Sequence, residues 1–343
     1  MSNGPEVSLM KINTIVIVFL LCIFSVTGLH AEKYLKLAQT GFQFLSVDTD
    51  ARGASMAGAM TTLDNSASSF FYNPATLSHS TTLSMQLQVN YNSWIAGISH
   101  NSASLTIAPS GGRYGIFGFS WQYTDYGEIQ GAMPFDNNQG YILTEKFNPS
   151  ALSLGIGYSK ALSSKFGVGA QLKYVGQQLG NHLVQIGQVG DSVNTKLYKE
   201  FAVAFDFGTI YYTGWKSLAF GMSVRNFSNE IAYESESFQL PLTFSIGVSM
   251  DLIDFVPEFS KYHKLLISMD AVHPRSYPEY IKTGLEYGFN NLLFFRMGYV
   301  SNQSERGTTF GFGIKKMGLI FDYCYMPFGI FDQTQNFTLG FSL

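Results

Sequence analysis

The sequence predicts an all-β fold: a transmembrane antiparallel β-barrel of about 14 strands with an N-terminal hatch segment inside the barrel. Three observations lead to this prediction. Apolar and polar residues alternate with period two from about residue 81 to the last residue. The connections between the alternating segments are short and long in turn. Charged residues make up only 13% of the chain, against 46% hydrophobic and 15% aromatic, whereas a soluble domain carries roughly 25% charged residues.

The first 31 residues read as an export signal. Lys11 precedes an apolar run from Ile12 to Val26, and Leu29-His30-Ala31 offers a cleavage site before Glu32. The run is shorter than the roughly 20 residues that a membrane-spanning helix needs. We therefore expect residues 1–31 to be a cleaved signal peptide rather than an anchor. Removal would leave Cys324 as the single cysteine, which permits no disulfide within the chain and no thiol-based metal site.

Residues 32–80 do not alternate and are rich in small residues, as in the run from Gly53 to Ala59. Small residues allow close backbone packing, and Asn73-Pro74 predicts a turn. We expect this segment to fold inside the barrel as a plug or hatch. The alternative is a disordered periplasmic tail, but the modest charge and several aromatic residues of the segment are untypical of disorder.

Residues 81–343 are predicted to form the barrel. The clearest strand places Leu87, Val89 and Tyr91 on one face and Gln88 and Asn90 on the other. The chain also alternates up to its last residue, with Phe337, Leu339, Phe341 and Leu343 on one face. The predicted strands are 82–91, 102–109, 113–124, 149–160, 166–177, 200–211, 217–226, 240–252, 264–272, 280–288, 291–299, 307–315, 318–326 and 335–343.

The connection lengths give an independent signal. Tight turns such as 109–112 alternate with long links such as 125–148 and 178–199, and only the link 253–263 breaks the rule. Short turns of outer-membrane barrels face the periplasm. A secreted sandwich or propeller also has alternating strands, but its water-facing side would need more charge. Pro241, inside the predicted strand 240–252, is a candidate for a strand kink that opens a lateral gap.

Charged residues that fall opposite the apolar sets are predicted to point into the lumen. Four are basic and four are acidic, whereas an ion-selective channel usually lines itself with one sign. We therefore interpret them first as a structural network that braces the wall and holds the hatch through Arg52, and second as transport or gating residues. The eight residues are Lys173, Asp206, Arg225, Asp270, Lys282, Glu286, Arg296 and Asp322.

The sequence contains no motif of a nucleophilic, metal-dependent or phosphate-binding enzyme. The histidines are scattered without metal-ligand spacing, and Asp270 and His273 lack an accompanying nucleophile. We predict no enzymatic activity, no cofactor and no bound metal. The net charge of −3 and the absence of a Lys/Arg run also argue against binding to nucleic acid.

The segment before the barrel resembles the N-terminal signature of PorV/PorQ-type proteins, within the wider FadL-like group of outer-membrane barrels. The resemblance rests on Phe44-Leu45, on the run 51–58, on the cluster 64–67 and on residues 73–75, with matches downstream at 269–274, 283–287, 295–299 and 321–323. Ala57 stands where the family often has Gly, and Tyr72 where Trp is common. The hatch-motif residues are Arg52, Gly53, Met56, Gly58, Asp64, Asn73 and Pro74.

The resemblance implies a fourteen-stranded outer-membrane barrel with an N-terminal hatch, and it implies two alternative functions. PorV/PorQ relatives are non-catalytic components of type IX secretion that bind secretion-system proteins or cargo. FadL-like proteins carry hydrophobic small molecules across the outer membrane. The partners to expect are therefore outer-membrane lipid together with secretion proteins or a hydrophobic compound. The links 125–148 and 178–199 are candidate docking surfaces for a protein partner.

Overall fold

The computed structural model describes residues 40–64, 66–80, 84–185, 193–303, 306–331 and 333–343. The predicted signal peptide and residues 32–39 of the predicted hatch segment lie outside this range. Within the described residues, no helix is long and apolar enough to cross a membrane.

Fourteen antiparallel strands close into a barrel, which confirms the predicted fold class and strand number. Each strand pairs with the next barrel strand along the chain, and the first pairs with the last to close the ring. The barrel strands are β1 Met85–Ser93, β2 Ser99–Ile107, β3 Ile116–Asp125, β6 Ser150–Ala161, β7 Phe166–Gln185, β8 Val193–Tyr212, β9 Ala219–Ser228, β12 Thr243–Asp251, β13 His263–Pro274, β14 Tyr280–Phe289, β15 Leu293–Val300, β16 Thr308–Lys316, β17 Leu319–Pro327 and β18 Gln333–Ser342.

The alternating apolar and polar residues of the strands face the lipid and the lumen in turn. On β1, Leu87, Val89 and Tyr91 expose between 40% and 51% of their surface on the outer wall, whereas Gln88 and Asn90 are buried in the lumen. This inside-out arrangement suits a membrane barrel, because lipid solvates the apolar face and a polar interior is enclosed.

The two ends of the barrel differ, and we name them by their connections. The short-turn end carries 108–115, 162–165, 213–218, 252–262, 290–292 and 317–318. The long-loop end carries 94–98, 126–149, the connection from β7 to β8, 229–242, 275–279, 301–307 and 328–332. The link 252–262 is long, as the sequence indicates, and folds into two 3-10 helices, Leu252–Phe255 and Pro257–Phe259. The structure adds further exceptions to the predicted rule, because the connections 94–98 and 275–279 at the long-loop end have five residues each, whereas 108–115 at the short-turn end has eight.

Three sequence predictions need correction at the long-loop end. The link 125–148 contains a hairpin of β4 (Ile129–Pro134) and β5 (Tyr141–Phe147). Most of the predicted loop 178–199 is strand, because β7 and β8 each continue for 20 residues. Pro241 lies before β12 rather than inside it, so it does not kink that strand. A small hairpin of β10 (Ile231–Ala232) and β11 (Ser237–Phe238) precedes it.

Residues 40–80 run through the lumen from one end to the other. Thr40 bridges Gln239 at the long-loop end, and His79 Nε2 lies 3.0 Å from the Ser163 carbonyl at the short-turn end. Between them lie the helix α1 (Ala51–Ser55) and the 3-10 helices Gln43–Ser46, Ser66–Phe71 and Pro74–His79. Further 3-10 turns occupy Ile95–Gly97 and Gly329–Phe331. We call residues 40–80 the hatch.

Candidate functional site

The helix α1 is clamped to one side of the lumen by a chain of buried ion pairs. Asp50 caps α1 by accepting a hydrogen bond from the Gly53 amide at 3.0 Å. Arg52 then donates to both carboxylate oxygens of Glu286, at 2.8 and 3.0 Å. Arg296 bridges Glu286 and Asp322, with 2.6 Å to each. Bidentate geometry and low exposure make this chain strong and highly directional.

A second buried cluster holds the hatch just before α1. The carboxylate of Asp48 contacts Arg306, which reaches in from the connection between β15 and β16, and lies 3.8 Å from Lys282 Nζ. Burial alone raises the pKa of this carboxyl, but the positive charges of Lys282 and Arg306 more than offset it and lower the pKa of Asp48 to about 2. Asp48 therefore remains ionised at neutral pH.

Asn73 fixes the C-terminal half of the hatch to β8 and, through the Met222 carbonyl 3.4 Å from its Nδ2, to β9. Pro74 begins the following 3-10 helix and lies against Gly169 of β7. Asn73 Nδ2 donates to the carbonyls of Thr61 and Thr209 at 2.7 and 3.1 Å, while its Oδ1 accepts from the Ala75 amide at 3.0 Å. The approach requires Gly208, since a Cβ there would lie 1.7 Å from Asn73 Oδ1.

The other predicted hatch-motif residues lie in the same compact segment. Gly53 gives room to the Tyr72 hydroxyl, and Gly58 has a φ of +74° and packs against Asp48 and Lys282. Met56 is fully buried. The Asp64 carbonyl accepts from Arg52 at 2.5 Å, so the chain folds back onto α1. Asn65, within the predicted cluster 64–67, lies outside the described residues.

The opposite wall, formed by β6 to β9, is built differently. Arg225 and Asn226 of β9 together oppose Asp206 of β8, which is a β-bulge, and Asn226 adopts a φ of +62°. Both side chains therefore point inward. Asp206 accepts from the Asn226 amide at 2.7 Å and pairs with Lys173 Nζ at 2.7 Å. Asn226 Nδ2 also donates to the Pro241 carbonyl at 3.1 Å.

Above the bulge, toward the long-loop end, the lumen becomes apolar. We call the buried set there the apolar cluster: Phe42, Phe44, Leu45, Ala151, Val175, Ala202, Ala204 and Leu240. Tyr126, Ile231, Tyr233 and Phe238 pack over it from the long-loop connections. The hatch thus supplies three of its own apolar side chains to fill the cluster, and they touch uncharged wall residues.

Phe42 sits in this cluster with a left-handed backbone. Its φ is 56° and its ψ is 37°, a conformation that bulky L-residues rarely adopt. Its ring lies 6.2 Å from Phe44 and 6.1 Å from Phe238, measured between centroids. Packing of the ring therefore stabilises a backbone conformation that is unfavourable for phenylalanine in isolation.

Only a small cavity of about 20 Å³ separates the hatch from the bulge, bounded by Leu45, Phe70, Lys173, Asp206 and Arg225 among others. A cavity of that size accommodates about one water molecule. Arg225 also donates to the Phe71 carbonyl at 2.8 Å across this boundary. At the bulge, the hatch therefore packs directly against the wall of the barrel.

All eight predicted lumen charges lie on the inner wall, but in separate groups. Lys173, Asp206 and Arg225 surround the bulge. Glu286, Arg296 and Asp322 form the chain at α1, Lys282 faces Asp48, and Asp270 accepts from the amide and hydroxyl of Thr61 at 3.0 and 2.8 Å. Asp270 and His273 do not form a pair, because Asp270 is buried and His273 is an exposed residue 2.8 Å from Glu279.

Sequence reasoning missed several residues of this site. Asp48, Arg306 and Asn226 each make polar contacts inside the lumen, and Phe42 belongs to the apolar cluster. Asp48 and Arg306 lie 258 positions apart, and no local pattern links them. The sequence placed residues 42 and 44 in the predicted hatch, but it did not show which wall residues they contact.

Comparison with solved structures shows which barrels share this fold. The toluene transporter TodX of Pseudomonas putida aligns with a TM-score of 0.58 and 12% identity, covering 90% of this chain and 99% of that one. A FadL homologue of Pseudomonas aeruginosa aligns with a TM-score of 0.50 and 11% identity, covering 86% and 98%. No protein-family model and no curated protein matches the chain. The chain therefore has the fold of FadL-like outer-membrane barrels.

Proposed function

We propose that this protein is an outer-membrane passage for hydrophobic small molecules. The observation that carries the proposal is the apolar cluster, which lies inside an otherwise polar lumen and is covered by the long-loop connections. Apolar pockets with few polar groups are the usual form of sites for hydrophobic ligands. A channel that passes only water or ions does not need an apolar region in its lumen.

The contacts of the hatch with both sides of the lumen support a gated route rather than an open pore. Porins of larger strand number leave a water channel, whereas here the hatch packs against the wall of a fourteen-stranded barrel. Solutes that diffuse freely through water would be stopped by the buried chain Arg52–Glu286–Arg296. A compound that displaces Phe42 and Phe44 from the apolar cluster would meet no charge to desolvate at that site.

The shared fold gives further support. TodX is described as a toluene transporter and a monoaromatic hydrocarbon channel. A monoaromatic molecule has the size of the Phe42 ring, which already occupies the apolar cluster. If a ligand replaced that ring, the backbone at Phe42 could leave its left-handed conformation. This would relieve strain energy on the order of 1–3 kcal/mol.

The test measures uptake of radiolabelled toluene by host cells that make the full-length protein. Uptake above the empty-vector rate is expected. The double variant Thr40→Cys with Gln239→Cys would tie the hatch to the long-loop end, because the two residues bridge one another. Oxidation should reduce uptake severalfold, and reduction should restore it. The matched control is Ala232→Cys with Ser237→Cys, a pair within the β10–β11 hairpin.

Two outcomes would contradict this proposal. If the correctly folded protein gives no uptake above the empty vector, hydrophobic transport is wrong. If the cross-linked hatch leaves uptake unchanged while the protein transports toluene, the apolar cluster beside Phe42 is not on the route.

A second candidate function, binding of secretion proteins or cargo as in PorV/PorQ relatives, is favoured by the long-loop end. β7 and β8 are paired well beyond their neighbours, up to Gln185 and Val193, and the β4–β5 hairpin contributes exposed apolar residues such as Tyr141 and Leu143. Replacing 180–198 by a short turn should abolish co-purification of secretion proteins from the native membrane and leave the barrel folded. Retained co-purification would eliminate this surface as the docking site.

A further inference from the structure

A groove with a volume near 520 Å³ lies on the outer wall, away from the hatch. It crosses the four strands β16, β17, β18 and β1, where the last strand of the barrel meets the first. Its lining is almost wholly aliphatic and aromatic, and includes Leu87, Phe321, Leu339 and Phe341.

Strand register orders the outward side chains of the groove into two rows. Lys316 pairs with Leu319, which pairs with Phe341, which pairs with Leu87. Ile314, Phe321, Leu339 and Val89 form the second row by the same pairings, two residues farther from the short-turn end. The first row is therefore nearer the membrane surface, and the second row is nearer the membrane centre.

Lys316 is the one charged residue among those that line this groove in the described structure. It is exposed and ends β16, immediately before the tight turn at Met317 and Gly318. A lysine in this position keeps its methylene stem on the apolar wall and extends its ammonium to the lipid headgroups. The groove thus has an apolar floor and a single positive charge at its surface end.

The charge of the connections at the short-turn end also favours an anionic ligand. These connections carry Arg113, Lys165, Lys216 and Lys261 against Asp254 and Glu258. The end that faces the periplasm in such barrels is therefore basic where it borders the headgroups of the inner leaflet.

We infer that the groove binds one glycerophospholipid of the inner leaflet, with the anionic phosphate at Lys316 and an acyl chain that crosses from the first row to the second, toward the membrane centre. The groove is continuous with the lipid-facing wall, so its occupant comes from the bilayer. The ammonium selects a negative headgroup. A lysine near an anionic membrane surface contributes enough attraction for about a fivefold change in occupancy.

Native mass spectrometry of the full-length protein in dodecyl maltoside, titrated with palmitoyl-oleoyl-phosphatidylglycerol, tests this inference. Saturable binding of one lipid is expected. Lys316→Gln should reduce the occupancy about fivefold at fixed lipid concentration. The matched control is Lys264→Gln, which removes a lysine from the same end of the barrel but outside the groove, and which should retain wild-type occupancy.

A second pair of variants tests the apolar floor. Leu339→Trp should fill the groove and abolish the saturable lipid, whereas Ile246→Trp, an exposed outer-wall position on β12, should not. Equal loss of lipid binding in both tryptophan variants, or unchanged lipid binding in Lys316→Gln, would overturn the inference. The bound lipid would then belong to the annular lipid that surrounds the whole outer wall. Neither result depends on toluene uptake, so failure here leaves the proposed function standing.

Discussion

The two sides of the lumen hold the same hatch by different kinds of contact. On the side of β14 to β17, buried charges meet in fixed pairs, with Arg52 bidentate on Glu286 and Arg296 between Glu286 and Asp322. On the side of β6 to β8, Phe42 and Phe44 rest on Ala202, Ala204 and Val175. Charge pairs tolerate little displacement because an unpaired buried charge is strongly unfavourable. Apolar contacts are non-directional, so the apolar cluster can exchange one filling group for another, although polar contacts such as that of Arg225 with the Phe71 carbonyl hold the hatch elsewhere on that side.

The largest expected effect comes from breaking the charged side. Glu286→Gln leaves the buried guanidinium groups of Arg52 and Arg296 without their shared carboxylate. We expect the free energy of unfolding to fall by about 3–5 kcal/mol, measured by urea unfolding in detergent. The control Lys146→Ala removes an exposed ion pair with Glu128 and should change it by less than about 1 kcal/mol. Equal effects of the two variants would show that the clamp is not important for stability.

The next effect is the acid sensitivity of the same side. The pKa of Asp48 lies near 2 in the folded protein and near 3.8 when unperturbed, so its charge stabilises the fold above about pH 4. This contribution, on the order of 2 kcal/mol, is lost as the pH falls through the range from 4 to 2. Asp48→Asn should remove that part of the acid transition, whereas Asp136→Asn at an exposed position should keep it. An identical pH profile for wild type and Asp48→Asn would contradict the assignment.

The smallest effect is local and belongs to the apolar side. Phe42→Ala should speed hydrogen exchange at the Leu45 and Val47 amides, which bond to the Phe42 and Phe44 carbonyls, on the order of 10- to 100-fold. The Ala54 amide, bonded to the Asp50 carbonyl in α1, should exchange as in the wild type. Equal acceleration at Ala54 would mean that the hatch opens as one piece, and the distinction between the two sides would disappear.

The barrel was predictable because the membrane enforces the pattern. Wherever one face meets lipid and the other the lumen, as on β1, polarity must alternate, and all fourteen strands were found from that signal. Beyond the membrane both faces of a strand are wet, so the outer parts of β7 and β8 lack the pattern and read as loop. Pro241 was wrongly placed inside a strand because the run of apolar residues begins at Leu240, before the strand itself. The strand β12 starts only at Thr243.

The candidate site was only partly predictable. The alternation along each strand placed charged residues such as Lys173 and Glu286 in the lumen. It does not show which charged residues form pairs there. Arg52 and Glu286 lie 234 positions apart, and their pairing depends on how the hatch packs. The bulge at Asn226 changes the phase within β9, which period-two counting treats as the end of a strand. The apolar cluster was missed because its alanines are too small to stand out as a hydrophobic face.

The path of the hatch imposes an order on assembly. Residues 40–80 traverse the lumen before the chain enters β1, and the ring is completed only when β1 pairs with β18. A segment that spans a closed cylinder cannot be threaded in afterwards without passing its whole length through the opening. A hatch that is already in place when β1 pairs with β18 avoids this passage. We therefore expect the wall to close around the hatch, and a misfolded hatch to hinder closure at the β1–β18 seam.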